Sequence, residues 1–424
     1  MAQASRRTLL RTACAAATVA AARVAFPGGA HAEGAGPETP AALLAYMSLT
    51  DAAPLIVAKS RGLFAKHGMP DVSLVRQPST AFTCESLALG AAGEGVDGAH
   101  IMSSIAYLFS LGKAADVNTA VPLQILARLN TNGQAISVSK TLMPLGARLD
   151  AAPLKAALAN KPESRAGMTF RGGTHDLWLR YWLAAGGVDP DKDVQTVVVP
   201  SPSVLSDMAA DILSVACNSE PWPDLITRQG LGYTACQTGE IWRDHPDKAL
   251  VVRADWAAKN PRATIALTAA VLEAQQWAEK AENRADLAVI LSRSIWGSVP
   301  VAEIVPRLSG NVDYGDGRKV QASPTRMKFW ADHASYPYQS HDLWFLTECM
   351  RWGFLSRATD TQAAIAAINR EDLWRAAAAA AGVSVSDMPV GTSRGKETFF
   401  DGHVFDPADP AAYLSSLKIK TLAA

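Results

Sequence analysis

The sequence predicts an α/β protein of two lobes facing each other across a cleft, with a helical C-terminal extension. Three observations predict it. From Ala41 to Arg253 short apolar runs alternate with stretches of helical period, the pattern of β-α units around a sheet. A turn-rich piece, Asn130-Thr131-Asn132-Gly133-Gln134, interrupts the alternation and runs into a new strand, where the chain crosses from one lobe to the other. At 424 residues, 49% of them hydrophobic, the chain is long enough for two or more domains.

In order, Leu43–Tyr46 reads as a first strand, Ala52–His67 as a helix ended by Gly68, and Val72–Val75 as a second strand. Ser79-Thr80 caps a helix through Leu89, Gly98–Met102 is a third strand and Leu123–Leu129 a fourth. Beyond the crossing, strands are expected near Met168–Phe170, Val194–Val199 and Leu213–Cys217, with helices opening at Thr174, Val204 and Pro221-Trp222. Around Asp247–Arg253 the chain returns. Thr264–Glu279, Arg284–Arg293 and Thr361–Ala381 carry apolar residues at helical spacing, and Glu397–Gly402 with Tyr413–Lys420 form a closing extension. The boundaries drawn from this are a first lobe of residues 41–135 and 250–424 and a second lobe of 136–249. Open sheets place ligands at the carboxyl ends of their strands, so the cleft is where a ligand is expected.

The N-terminus has the form of an export segment. Ser5-Arg6-Arg7-Thr8-Leu9-Leu10-Arg11 is a twin-arginine pattern, followed by an alanine-rich apolar run and Ala30-His31-Ala32, so residues 1–32 are expected to be a removed signal peptide. The remainder carries 36 basic and 40 acidic residues, which is mildly acidic. No basic block interleaved with aromatics points to nucleic acid, and no later apolar run reaches the ~18 residues that span a bilayer. Cys84, Cys217, Cys236 and Cys349 form no Cys-x-x-Cys pair and have no metal-ligand spacing, which reads as free buried thiols.

The stretch of greatest chemical interest is Gly172-Gly173-Thr174-His175-Asp176-Leu177-Trp178, a glycine turn feeding a helix. Gly172 and Gly173 allow a sharp turn, Thr174 can cap the helix, and His175 can add a donor where the first-turn amides and the helix dipole favour an anion. Such turns are common, and an ordinary capped helix is the other reading of these residues.

The run Gly172–Gly187 resembles the nitrate- and bicarbonate-binding proteins of bacterial ABC importers. So do Leu49–Leu55, Val96–His100, Asn132–Ile136, Glu220-Pro221-Trp222, Ile241–Lys248, His341–Glu348 with Arg351-Trp352-Gly353, and Asn369–Arg375. The resemblance implies a clamshell of the periplasmic-binding-protein fold (type II), each domain a mixed sheet flanked by helices. It implies a small planar anion held by a lysine, a histidine, a glutamine and an indole, with Lys248, His175 and Gln134 at the matching positions. Where the indole belongs this chain has Thr80; Phe82, two residues on, is an alternative wall. Gly173 and Thr174 belong to the anion turn. Glu220 is either a counter-charge or part of a calcium site, as in the bicarbonate binders, and no other cofactor is implied.

The function implied is a periplasmic receptor exported by the twin-arginine pathway. It delivers nitrate, or nitrite, to a permease and its ATPase, without inserting into the membrane itself. A bicarbonate receptor and a nitrate sensor acting on a regulatory partner are the alternatives. No Gly-x-Ser-x-Gly elbow, His-Glu-x-x-His or Gly-x-x-x-x-Gly-Lys loop is present, so the sequence is read as no enzyme.

Overall fold

A computed structural model describes residues 36–114, 119–161, 163–295 and 299–420; the expected export segment lies outside the described residues. Two five-stranded sheets organise the chain. The first contains β1 (Leu43–Tyr46), β2 (Ser73–Arg76), β3 (Gly98–Met102), β4 (Leu123–Arg128) and β10 (Lys248–Arg253), in the order β2-β1-β3-β10-β4. The second contains β5 (Gln134–Ser139), β6 (Arg165–Met168), β7 (Gln195–Val198), β8 (Val215–Ser219) and β9 (Gly232–Gln237), in the order β7-β6-β8-β5-β9.

Each sheet is mixed in the same way. β1 pairs in parallel with β2 and β3, and β6 with β7 and β8, as β-α units require. β10 runs antiparallel to β3 and β4, and β5 antiparallel to β8 and β9. β5 and β10 are the strands on which the chain arrives from the other sheet, so each starts at the edge where its parallel neighbours end. A third segment reinforces the crossings: Thr131 bridges both Pro246 and Lys328, and Asn132 Nδ2 donates to Asp244 Oδ1 and to the Arg326 carbonyl, both at 3.0 Å.

Local chemistry explains most element ends. Ser79 is the N-cap of the Thr80–Leu89 helix and accepts from the Phe82 amide, and Gly90 leaves the helix at φ +68°. The helix expected over Ala52–His67 is broken into Ala53–Ser60 and Leu63–Lys66, with Gly62 in the left-handed region between them. The strand expected at Met168–Phe170 is Arg165–Met168, and Thr169 and Phe170 already belong to the turn. β9 was not foreseen; its sequence Gly-Tyr-Thr-Ala-Cys-Gln has neither a polar-apolar alternation nor a long apolar run, because every one of its residues is buried.

The helix expected over Thr361–Ala381 is two, Thr361–Ile368 and Glu371–Ala380. Asn369 breaks it. Its Nδ2 donates to the Pro337 carbonyl and to Asp342 Oδ2, both at 2.7 Å, and its Oδ1 receives the Glu371 amide at 3.0 Å. Asp342 is itself ion-paired with buried Arg128 at the end of β4.

The C-terminal elements pack against the second lobe through an aromatic cluster. Trp178 on the Thr174–Ala185 helix stacks on Trp344 of the Gln339–Arg351 helix at 4.8 Å, and Trp344 stacks on Phe399 of the C-terminal hairpin at 5.6 Å. Trp242 lies edge-on to Trp178 at 5.9 Å. Trp178, Trp242 and Trp344 are no more than 1% exposed, so these indoles serve the core. The four cysteines are free and buried. No helix among the described residues is long and apolar enough to cross a membrane.

Trp344→Ala should therefore weaken the whole protein, by about 3–5 kcal/mol for an indole lost from a close-packed cluster. Urea unfolding measures it; a loss under about 1 kcal/mol would mean that the C-terminal helix folds apart from the lobes.

Candidate functional site

Lys248 and Gln134 are the first residues of β10 and β5, opposite Met102 on β3 and Ser219 on β8. Because both strands are antiparallel to their neighbours, their starts share an edge with the ends of β1, β3, β6 and β8. The loops after those strands gather there, as in open α/β sheets generally.

Lys248 is the hub. Its Nζ donates to Asp247 Oδ2 at 2.8 Å, Asp51 Oδ2 at 3.0 Å and Ser219 Oγ at 3.1 Å, so each ammonium hydrogen has an acceptor. Asp51 comes from the loop after β1 and contacts His100 Nε2 of β3 through Oδ1 at 2.7 Å; Ser219 ends β8 of the other sheet. Lys248, Asp51, Asp247, His100 and Ser219 are all 0% exposed. From Ser219 the network continues to His175, whose Nε2 lies 3.0 Å from Ser219 Oγ and whose Nδ1 meets Thr169 Oγ1. On the other side Thr174 Oγ1 donates to Asp247 Oδ1 at 2.8 Å and receives Gln134 Nε2 at 3.0 Å.

Burial and charge set the protonation states. Burial opposes ionisation of Asp51, yet Lys248 and His100 hold its carboxyl well below the usual range. Asp247 is raised instead, by burial and by the Asp51 charge, which Lys248 does not offset. Burial disfavours the Lys248 ammonium, but the two carboxylates outweigh it and raise its pKa. Burial, reinforced by the Lys248 charge, pushes His175 well below 6.5, so its ring is neutral at pH 7. A neutral ring carries one N–H, so of its contacts with Ser219 and Thr169 one is donated and the other accepted.

The sequence-predicted residues fall into two groups. Lys248, His175, Gln134 and Thr174 come together in one network. Thr174 is not the helix cap, however: Gly173 holds that position with extended backbone, and the Thr174 hydroxyl is spent on Asp247. Gly173 is needed for close approach, since a Cβ there would lie 2.7 Å from Met102 Cε and Sδ. The Gly172 amide in the turn before the helix donates to Asp176 Oδ2 at 2.8 Å, so the protein's own carboxylate satisfies it.

Thr80 and Glu220 lie at the margin. Thr80 is 1% exposed with Oγ1 3.8 Å from Met47 Sδ, so a thioether stands beside it, and Phe82, 54% exposed, supplies no wall. The Glu220 carboxylate is ion-paired with Arg307, and its backbone carbonyl receives the Thr50 amide at 3.0 Å. Arg307 engages Glu220 Oε1 while Oε2 is buried without a hydrogen-bond partner, and no group of three or more His, Cys, Asp or Glu among the described residues could hold a metal. A cavity behind the network is lined by Thr50, Gly133, Glu220 and Arg307.

Asp51, Asp247, His100 and Ser219 were not singled out from sequence. Asp51 had a signal, an acid in the loop leaving β1 at the ligand edge. Asp247 had its adjacency to Lys248. Ser219 had none, since its role depends on the register of β8 against β5.

Residues 35–292 match the NMT1-like family. The chain belongs to that family. Among NMT1-like relatives, the nitrate/nitrite binding protein NrtA of Nostoc sp. is 50% identical over 387 residues, 90% of this chain and 87% of that protein. The crystal structure of the periplasmic nitrate-binding protein NrtA from Synechocystis PCC 6803 superimposes with a TM-score of 0.89 at 48% identity, covering 91% of this chain and all of that one. The bicarbonate-binding protein CmpA of Synechococcus elongatus is 40% identical over 390 residues, 89% of this chain and 86% of that protein. The two-lobed mixed α/β architecture is thus the periplasmic-binding-protein fold.

Removing the hub should be felt in stability as well as in binding. Lys248→Ala leaves Asp51 and Asp247 facing each other in a dry site, a loss of about 3–5 kcal/mol for a broken buried pair. Lys248→Ala/Asp247→Asn removes one orphaned charge and should recover about 1–3 kcal/mol of it. Urea unfolding of both variants decides; a single-variant loss within about 0.5 kcal/mol, as at a surface lysine, would contradict the hub.

Proposed function

We propose that this protein is the periplasmic receptor of an ABC importer, binding nitrate, with nitrite as a second ligand, at the Lys248 network and delivering it to a permease and ATPase. One observation carries the assignment: a lysine ammonium, fully buried, sits where the strand ends of both sheets meet. A monoanion stripped of water needs such a compensating charge. Gln134 and His175 stand around it as neutral partners, Gly173 and Thr174 hold the helix start against the network, and Thr80 with Met47 forms the flank. Glu220 acts from behind, through its carbonyl and Arg307. The similarity to the nitrate/nitrite-binding NrtA proteins supports the choice of anion.

Bicarbonate is the second ligand class, favoured by the resemblance to CmpA, which is less close than that to NrtA. The pairing of Glu220 with Arg307 counts against a calcium-assisted site of that kind. Calorimetry of the purified protein should show binding of nitrate and nitrite and no binding of bicarbonate, with calcium making no difference. Bicarbonate binding that appears on adding calcium, without nitrate binding, would reverse the assignment.

Export is part of the same proposal and rests on Arg6-Arg7, the apolar run and Ala30-His31-Ala32. Changing Arg6 and Arg7 to Lys should leave precursor in the cytoplasm. Undiminished periplasmic protein in that variant would remove the twin-arginine pathway from the account.

A further inference from the structure

The Lys248 site holds one ammonium against two carboxylates, all fully buried. With both carboxylates ionised, Lys248 balances one of them, and the other faces only the His100 ring at Asp51 Oδ1. Each ammonium hydrogen is also engaged. A monoanion arriving alone would have to displace an acceptor and add an uncompensated charge to a dry site.

Resting on the assignment of the preceding subsection, we propose that the anion enters this site together with one proton from solvent, which Asp247 takes up. The charge of the site is then the same before and after binding. Asp247 is the acceptor because of its partners. Asp51 is gripped by Lys248 and by His100 of β3, whereas Asp247 is met by Lys248 and the neutral Thr174 hydroxyl, with Asp51 repelling it. The other titratable groups around it are His175 on the Thr174–Ala185 helix, held neutral by burial, and the Cys217 thiol on β8, pushed up by burial. Burial and the Asp51 charge also raise the Asp247 pKa, which favours the same assignment.

The network gives the proton a second effect. Gln134 is 1% exposed, and its Oε1 has no hydrogen-bond partner while Nε2 is used on Thr174. Once protonated, Asp247 donates to Thr174 Oγ1 instead of accepting from it. The Thr174 hydroxyl then turns to Gln134, whose amide flips so that Oε1 accepts. The two ends of a carboxamide have nearly the same shape, so the flip keeps the packing. Nε2 is left free where Oε1 stood, a donor for an anion oxygen. Proton and anion thus arrive cooperatively through Asp247, Thr174 and Gln134.

The sign follows from linkage. A ligand that prefers protonated Asp247 binds best at low pH and weakens as pH rises through the ligand-free pKa. Nitrate titrations by calorimetry between pH 5 and 9, in buffers of different ionisation enthalpy, should show uptake of up to one proton per nitrate. Kd should rise with pH, approaching tenfold per unit. Asp247→Asn, whatever its affinity, should bind with no uptake and no pH slope. Nitrate binding by the parent without proton exchange anywhere in that range overturns the proposal, and this measurement stands even if Asp247→Asn does not fold. Uptake retained in Asp247→Asn overturns it too, by placing the proton elsewhere, His175 being the nearest candidate. A parent that binds no nitrate at any pH overturns the functional assignment, and this inference with it.

Discussion

The structure depends on a single buried ammonium shared between loops that arrive from both sheets. Lys248 draws in Asp51 from the loop after β1, Asp247 beside it, and Ser219 from the end of β8. Such a group is costly to bury and is held only when its partners are complete. Much of the surrounding sequence follows from that requirement. Ser219 must end its strand in register with Gln134, Thr174 must face Asp247 from the first turn of its helix, and Gly173 must let that turn approach Met102.

At the opposite kind of contact the physics reverses. Trp178, Trp242, Trp344 and Phe399 bring the C-terminal elements onto the helix that carries His175, with no charge among them. The same helix therefore has a polar end in the network and an apolar body in the aromatic cluster. Its orientation is fixed twice over, which is how His175 is held within reach of Ser219.

Much of the fold was legible in the sequence because the strands that position the site are short apolar runs bounded by turns. Leu43–Tyr46 and Gly98–Met102 were read at their observed limits, and the crossings at Asn130–Gly133 and before Lys248 were marked by turn residues. The misreadings share a cause. β9 is buried throughout and lacks alternation, while the breaks at Gly62 and Asn369 are decided by a left-handed turn and by a side chain bonding across the fold. At the site, Lys248, His175 and Gln134 were named because they stand at the positions that the resemblance to the nitrate- and bicarbonate-binding proteins matches. The acids that neutralise Lys248 were not, since an aspartate in a loop is ordinary until the fold shows what it faces. Ahead of the helix start the Gly172 amide is satisfied by Asp176 four residues on, a pairing that local spacing permits but does not require.

The two junctions also differ in what it takes to part them. Separating the aromatic cluster would expose several indoles that gain nothing from water in exchange, and burial of that kind is lost in proportion to area. The ligand edge adds polar contacts to apolar ones: Lys248 with Ser219, the Thr50 amide with the Glu220 carbonyl and Arg307 with Glu220 stand beside an apolar cluster that joins Met47 and Leu49 to Val199 and Trp222. Water or an anion can satisfy each of these polar groups as the protein partner leaves, so the net cost per bond is small.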